Sequence, residues 1–275
     1  MRIIPPLFTA KTIKTILDGK SEVSLDLGFS VSKVTLDSDE LILPGGVSIK
    51  LFNLLKAQDR ENAVFFPKDG ELFLVAISSS HLFKLLPTDD APTMEIDGVR
   101  MHRTKDTTPL QDTKKKLDVL GLHGGRVLDT CTGLGYTASA AAHRSTEVVV
   151  TIELESSVLK ICEMNPWSQG LYNKKVNQIL GDSFYVLDAF PKAFFNWIIH
   201  DPPRLTLAGH LYSGAFYEKL YRVLVDGGKL LHYTGEPGSR HRGINLQKGI
   251  KIRLRNAGFK SLNYHPNAMV ITCEK

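Results

Sequence analysis

From about residue 105 onward the chain repeats one order of elements: a short apolar run, a turn and a helical run. It does so five times and then closes with two apolar runs that lie only a few residues apart. A helix over residues 109–120 precedes the series, with Thr108 as N-cap and Pro109 at the first helical position. Strands are expected at 126–129, 147–153, 176–180, 197–201 and 229–234. Their helices follow at 136–144, 156–164, 183–189, 213–224 and 246–257. Parallel strands need a long crossover, and these helices supply one each time. The final pair, 261–265 and 268–273, has no room for a crossover and must be antiparallel.

Before residue 105 the pattern is different. Short β-type runs at 23–27, 33–36, 40–43, 63–66 and 71–77 are separated by turn signals such as Pro44-Gly45-Gly46 and Lys68-Asp69-Gly70. Helices at 10–17 and 49–57, and a hairpin over 94–102 through Asp97-Gly98, complete a small module. The reading is therefore two domains in an α/β protein: residues 1–104 as a small β-rich α+β module and 105–275 as a Rossmann-like domain.

Composition removes several classes. With 43% apolar and 23% charged residues the chain can bury a core, so wholesale disorder is excluded. No apolar run reaches the roughly 20 residues of a membrane span, and the start lacks the pattern of a signal peptide. A cytoplasmic protein with no membrane partner is expected. Cys131, Cys162 and Cys273 are odd in number and lack metal-ligand spacing, and His81, His123, His143 and His210 are scattered. Neither a disulfide framework nor a metal is expected. A net charge of +5 and a pI near 9.0 suit a nucleic-acid partner without requiring one.

Five segments carry chemistry, each at or just after the end of an expected strand. In Val127-Leu128-Asp129-Thr130-Cys131-Thr132-Gly133-Leu134-Gly135, an apolar strand runs into a turn whose glycines let the backbone approach a ligand. Glu153 ends the second strand, where a carboxylate can accept hydrogen bonds from two ribose hydroxyls; Leu154 beside it offers an apolar partner to an adenine face. Gly181-Asp182-Ser183 follows the third strand, and either polar residue can cap the next helix. His200-Asp201-Pro202-Pro203-Arg204 ends the fourth strand in a carboxylate whose onward chain two prolines fix. After the fifth strand, Arg240 and Arg242 lie in a loop at the ligand side of such a sheet, where they could hold a phosphate or carboxylate. The basic residues that continue through Lys248, Lys251, Arg253 and Arg255 read as a solvated helix face.

Together these segments resemble the class I, seven-stranded S-adenosylmethionine-dependent methyltransferases over roughly residues 109–275. The likeness extends to archaeal-type predicted methyltransferases that carry an Asp-Pro-Pro motif. The resemblance implies S-adenosylmethionine as cofactor. Asp129, Gly133 and Gly135 would hold its methionine end, Glu153 the ribose, and Asp182 with Ser183 and Leu154 the adenine. Cys131 departs from the family's first glycine. Asp201 and Pro202 would hold an acceptor nitrogen, as in family members that methylate exocyclic amines. Arg204 replaces the aromatic residue that follows there and suits an anionic or planar polar acceptor. An RNA base or a small anionic metabolite is the acceptor so implied. The N-terminal module would bind substrate or make a homodimer.

Three rivals stay open. Aminopropyl transfer from decarboxylated S-adenosylmethionine shares the fold and a β-rich N-terminal piece, but the basic post-strand loops disfavour a cationic acceptor. Gly133-x-Gly135-x-x-Ala138 with Glu153 about 20 residues on also fits a nicotinamide-dependent oxidoreductase, which would need a sheet without the terminal hairpin. A degenerate scaffold that binds cofactor or RNA without turnover is the third, and the presence of Asp129, Glu153 and Asp201 argues against it.

Overall fold

The computed structural model describes residues 4–144, 146–235 and 246–275. The chain forms two compact units, Met1–Leu110 with Ser157–Gln169, and Gln111–Ser156 with Gly170–Lys275.

In the second unit seven strands form one sheet: β1 (Arg126–Asp129), β2 (Val148–Glu153), β3 (Val176–Leu180), β4 (Phe195–His200), β5 (Leu224–Tyr233), β6 (Lys260–His265) and β7 (Val270–Glu274). Their order is β3-β2-β1-β4-β5-β7-β6. β1 to β5 are parallel, and β7 runs antiparallel to both β5 and β6. This is an α/β fold with a mixed seven-stranded, Rossmann-like sheet. The crossover lengths require that outcome: each parallel step contains a helix, and the last step does not.

From residue 109 onward the α-helices are α1 (Pro109–Leu120), α2 (Tyr136–Ala142), α3 (Ser156–Met164), α4 (Ser183–Val186), α5 (Gly214–Val223) and α6 (Leu246–Asn256). Ser213 caps α5 by accepting the Phe216 N–H at 3.1 Å. Phe216, Leu220 and Val223, at helical spacing, are fully buried. They join Leu128, Ile152, Ile198, Leu230 and Ile271 from the sheet, and Ile250 and Leu254 from α6, in one core. Two buried histidines from adjacent strands, His200 and His232, meet edge to face with ring centres 4.5 Å apart. Burial holds both well below the ordinary histidine pKa, His232 at about 4. They act as neutral core groups, with Thr130, Tyr217 and backbone carbonyls as their hydrogen-bond partners.

The first unit has its own core, built from Phe8, Ile13, Ile16, Leu41, Ile49, Leu54 and Phe65 among others. Here the sequence overestimates strand length. The run expected at 23–27 is a strand only over Glu22–Val23. Asp26 accepts the Ser30 N–H, and Leu27 and Gly28 take positive φ, so the chain turns where it was expected to extend. A strand at Leu82–Leu86 was not expected; with four apolar residues in five, its sequence fits a buried helix turn as well. Trp167 packs on Phe29 at 4.2 Å and donates to the Leu27 carbonyl at 3.0 Å, a packing role.

The turn after β1 depends on Gly135. It caps α2 with φ +76°, and a Cβ there would lie 2.3 Å from Leu171 Cγ. Gly135→Ala is therefore expected to destabilise the protein by about 2–4 kcal/mol, through positive φ plus overpacking. Urea unfolding of the two proteins checks this, and an unchanged midpoint would remove the argument.

Candidate functional site

The carboxyl ends of the parallel strands bring four of the carboxylates singled out above to one edge of the sheet. The register does this directly: β1 lies between β2 and β4, with Asp129 opposite Thr151 on one side and Ile199 on the other. Glu153 and Asp201 each lie two residues beyond those partners. Asp182 follows β3 after one residue, Gly181.

Asp129 is fully buried. Its Oδ2 accepts hydrogen bonds from the hydroxyls of Thr137, at 2.9 Å, and Thr151, at 3.1 Å. Its Oδ1 is buried with no hydrogen-bond partner. Burial pushes the carboxyl up to about 7, against the pull of the threonine hydroxyls. A buried acceptor left in this way is costly unless a donor arrives, and an incoming ammonium group supplies one.

Glu153 closes the glycine turn. Its Oε2 accepts the Gly133 N–H at 2.9 Å and its Oε1 the Glu155 N–H at 3.0 Å. Both oxygens keep lone pairs, because an ionised carboxylate has about four acceptor positions. Burial raises this carboxyl to about 7 as well. Gly133 and Gly135 both take positive φ, and the Gly135 N–H bonds the Thr132 carbonyl at 2.8 Å, which tightens the turn. Leu154, next to Glu153, is 57% exposed, as is Leu180 at the end of the neighbouring strand. They give the edge an apolar surface.

Asp182 takes the N-cap of α4, its Oδ1 accepting the Phe184 N–H at 2.8 Å. Its Oδ2 lies 3.2 Å from His210 Nε2. The hydroxyl of Ser183 donates to the Thr130 carbonyl and is nearly fully buried, so it ties α4 to the β1 turn. Of the two polar residues expected near an adenine, only Asp182 presents a functional group outward.

Asp201 follows the last residue of β4. Its Oδ2 accepts from Lys116 Nζ at 2.6 Å, and Lys116 also pairs with Asp112 at 2.8 Å, one turn earlier on α1. The Tyr233 ring lies 4.2 Å from the same ammonium group. Burial works against the charge of Lys116, but Asp201 and Asp112 more than offset it and hold its pKa above the ordinary lysine value. Asp201 Oδ1 makes no hydrogen bond among the described residues. Pro202 is buried, and Tyr212 holds the next turn by donating to the Pro203 carbonyl at 2.9 Å. Arg204 is exposed on the loop beyond. Arg240 and Arg242 lie outside the described residues.

Lys116, Asp112, Thr137, Thr151 and His210 were not singled out in the sequence. Lys116 sits in the run Lys114-Lys115-Lys116, which reads as solvent-facing charge. The available signal was phase: Asp112, Lys116 and Leu120 share one helical stripe, and all three are buried.

The unpartnered Oδ1 of Asp129 makes the site's own energetics testable. Its folded pKa, about 7, lies above the ordinary 3.8, so the folded state favours the protonated acid. That preference is fully present below pH 3.8 and is lost as pH rises through about 7. Asp129→Asn should therefore raise stability by about 1–3 kcal/mol at pH 8, and the gain should vanish near pH 4. Thermal unfolding across that range checks it, and a variant equally or less stable at pH 8 would contradict the assignment.

Comparison with known proteins follows the fold closely. No protein-family model matches the chain. Uncharacterized protein MJ1233 of Methanocaldococcus jannaschii is 43% identical over 97% of this chain and 94% of its own length. The polyamine aminopropyltransferase of the same organism is 26% identical over 203 residues, 73% of this chain and 66% of that enzyme. Among solved structures, spermidine synthase from Thermotoga maritima superposes with a TM-score of 0.58 at 18% identity, covering 84% of this chain and 74% of that one. A spermidine synthase in complex with the transition-state analogue AdoDATO matches at the same TM-score, 0.58, with 17% identity. At these identities the structural likeness is one of fold.

Proposed function

We propose that this chain, which belongs to the family of the Methanocaldococcus jannaschii protein MJ1233, is a transferase that moves a methyl group from S-adenosylmethionine to a nitrogen acceptor. The observation that carries the donor assignment is the buried, unpartnered Oδ1 of Asp129 at the glycine turn. A cationic amino end satisfies that oxygen, and Glu153, one strand away, retains acceptor positions for two ribose hydroxyls. Asp182, with the exposed Leu154 and Leu180, supports an adenine at the far end of the same edge. The antiparallel β6–β7 pair counts against a nicotinamide-dependent oxidoreductase.

Bound S-adenosylmethionine would supply an electrophilic methyl group on a sulfonium. The protein's part is positioning. Asp201, held through Oδ2, offers Oδ1 to an N–H of the acceptor and fixes its lone pair toward the donor. That chemistry would be direct transfer to the acceptor nitrogen, with the carbon–sulfur electron pair left on sulfur. The surplus proton then passes from nitrogen to Asp201 Oδ1 and on to water. Pro202 and Pro203 keep the carboxylate from swinging away.

A second reading has its own support. The relatives that carry a named activity are polyamine aminopropyltransferases, one from M. jannaschii and one from Streptomyces coelicolor that is 28% identical over 52% of this chain. The same donor cradle would serve decarboxylated S-adenosylmethionine. We further propose the cytoplasm as the location; no described helix is long and apolar enough to cross a membrane. RNA, a small anionic metabolite as acceptor and a homodimer remain proposals on the same footing.

Calorimetric titration with S-adenosylmethionine, S-adenosylhomocysteine, the decarboxylated donor and NAD tests the reading. Saturable binding of the first two is expected. Glu153→Ala should weaken it on the order of 100-fold, the value of two hydrogen bonds to a charged acceptor. Binding that Glu153→Ala leaves intact would place the ribose elsewhere, and binding of NAD alone would end the proposal.

A further inference from the structure

The acceptor's charge is constrained by the buried ion triad Asp112–Lys116–Asp201. We infer that Lys116 selects the acceptor class: by pairing with Asp201 Oδ2 and leaving Oδ1 open, it admits an uncharged nitrogen bearing an N–H and turns away an alkylammonium group. This deepens the methyl-transfer reading and rests on it.

The argument begins with what each acceptor needs. An alkylammonium group, with a pKa near 10, has no lone pair at neutral pH until a base removes a proton. A carboxylate that serves it must be its counter-ion first and its base second. Asp201 already has a cation at 2.6 Å, shared with Asp112 and fixed between the two acids. A second cation at Oδ1 would come within roughly 5 Å of the Lys116 ammonium, in surroundings where like charges are weakly screened.

Lys116 is not free to move aside. Its side chain is 6% exposed, a second carboxylate holds it at 2.8 Å, and the Tyr233 ring lies 4.2 Å away. Raising its pKa, the two acids keep it charged throughout the physiological range. An uncharged amine meets none of these obstacles. It arrives with its lone pair available, donates one N–H to Oδ1, and becomes acidic only after it gains the methyl group. A carboxylate suffices to take that proton. Lys116 is thus a positioning residue: it fixes the rotamer and the charge of Asp201 and does not itself touch the reacting atoms.

The test uses the full chain saturated with S-adenosylhomocysteine and titrated with putrescine and with spermidine. The unaltered protein should show no saturable binding of either below about 1 mM. Lys116→Met should gain at least about tenfold affinity for both, and Lys116→Arg, which keeps the charge, should exclude them as before. A purely structural role would not divide the two variants in this way. Micromolar polyamine binding by the unaltered protein overturns the inference whether or not Lys116→Met folds. Aminopropyl transfer from the decarboxylated donor to either amine does the same. A folded Lys116→Met that gains nothing also overturns it. If no S-adenosyl compound binds at all, the methyl-transfer reading itself fails, a result separable from these by the first titration.

Discussion

The parallel pairing of β2, β1 and β4 is the constraint from which the rest of the site follows. Because the three strands run the same way in fixed register, their carboxyl ends finish on one edge, and the residue that follows each strand enters the same space. Asp129, Glu153 and Asp201 are 24 and 48 residues apart in sequence, reading from one to the next (129 to 153, 153 to 201). No local interaction could assemble them. Hydrogen-bonded strands at about 4.8 Å spacing do so without any contact between the side chains themselves.

That convergence concentrates negative charge, and the protein handles each acid differently. Asp129 is placed in the core, where burial raises its pKa against the pull of two threonine hydroxyls and the Cys131 backbone N–H. Glu153 takes two backbone N–H groups, so the glycine turn itself holds the acid. Asp182 caps a helix beside a histidine. Asp201 alone pairs with a lysine, Lys116 on α1, which it shares with Asp112. Under the proposed function, the four environments would meet four demands: an amino group, a sugar, a base and a reacting nitrogen.

Much of this was legible beforehand, for a local reason. α1, β1, α3 and β3 fall on the residues expected, because apolar period, caps and turn glycines are all short-range signals. Asp129, Glu153, Asp182 and Asp201 could be singled out because each stands at a strand end, a position that the same signals define. Errors appear where a local signal fits two structures. Leu82–Leu86 is such a case, and so is the Asp26 turn, whose side-chain hydrogen bonds end a β-type run. The longer β5, starting at Leu224 and not at 229, follows from its irregular pairing with Phe195, which no periodicity reveals.

Other features were invisible for a different reason. Ser183 looks like a ligand residue in sequence, but its hydroxyl belongs to the Thr130 carbonyl, 53 residues earlier. Lys116 looks like one of three solvated lysines until α1 is laid against the sheet. Only then does its stripe turn inward to meet Asp201, 85 residues away. The sequence by itself determined the order of strands and helices, the antiparallel close and the identity of the acids at the strand ends, because each is encoded within a few residues. The tertiary structure decided which oxygen of each acid is engaged, which cation stands beside Asp201 and which acceptor is left empty on Asp129. Those are properties of contacts between elements distant in the chain, and burial, which sets their energies, exists only once the elements are packed.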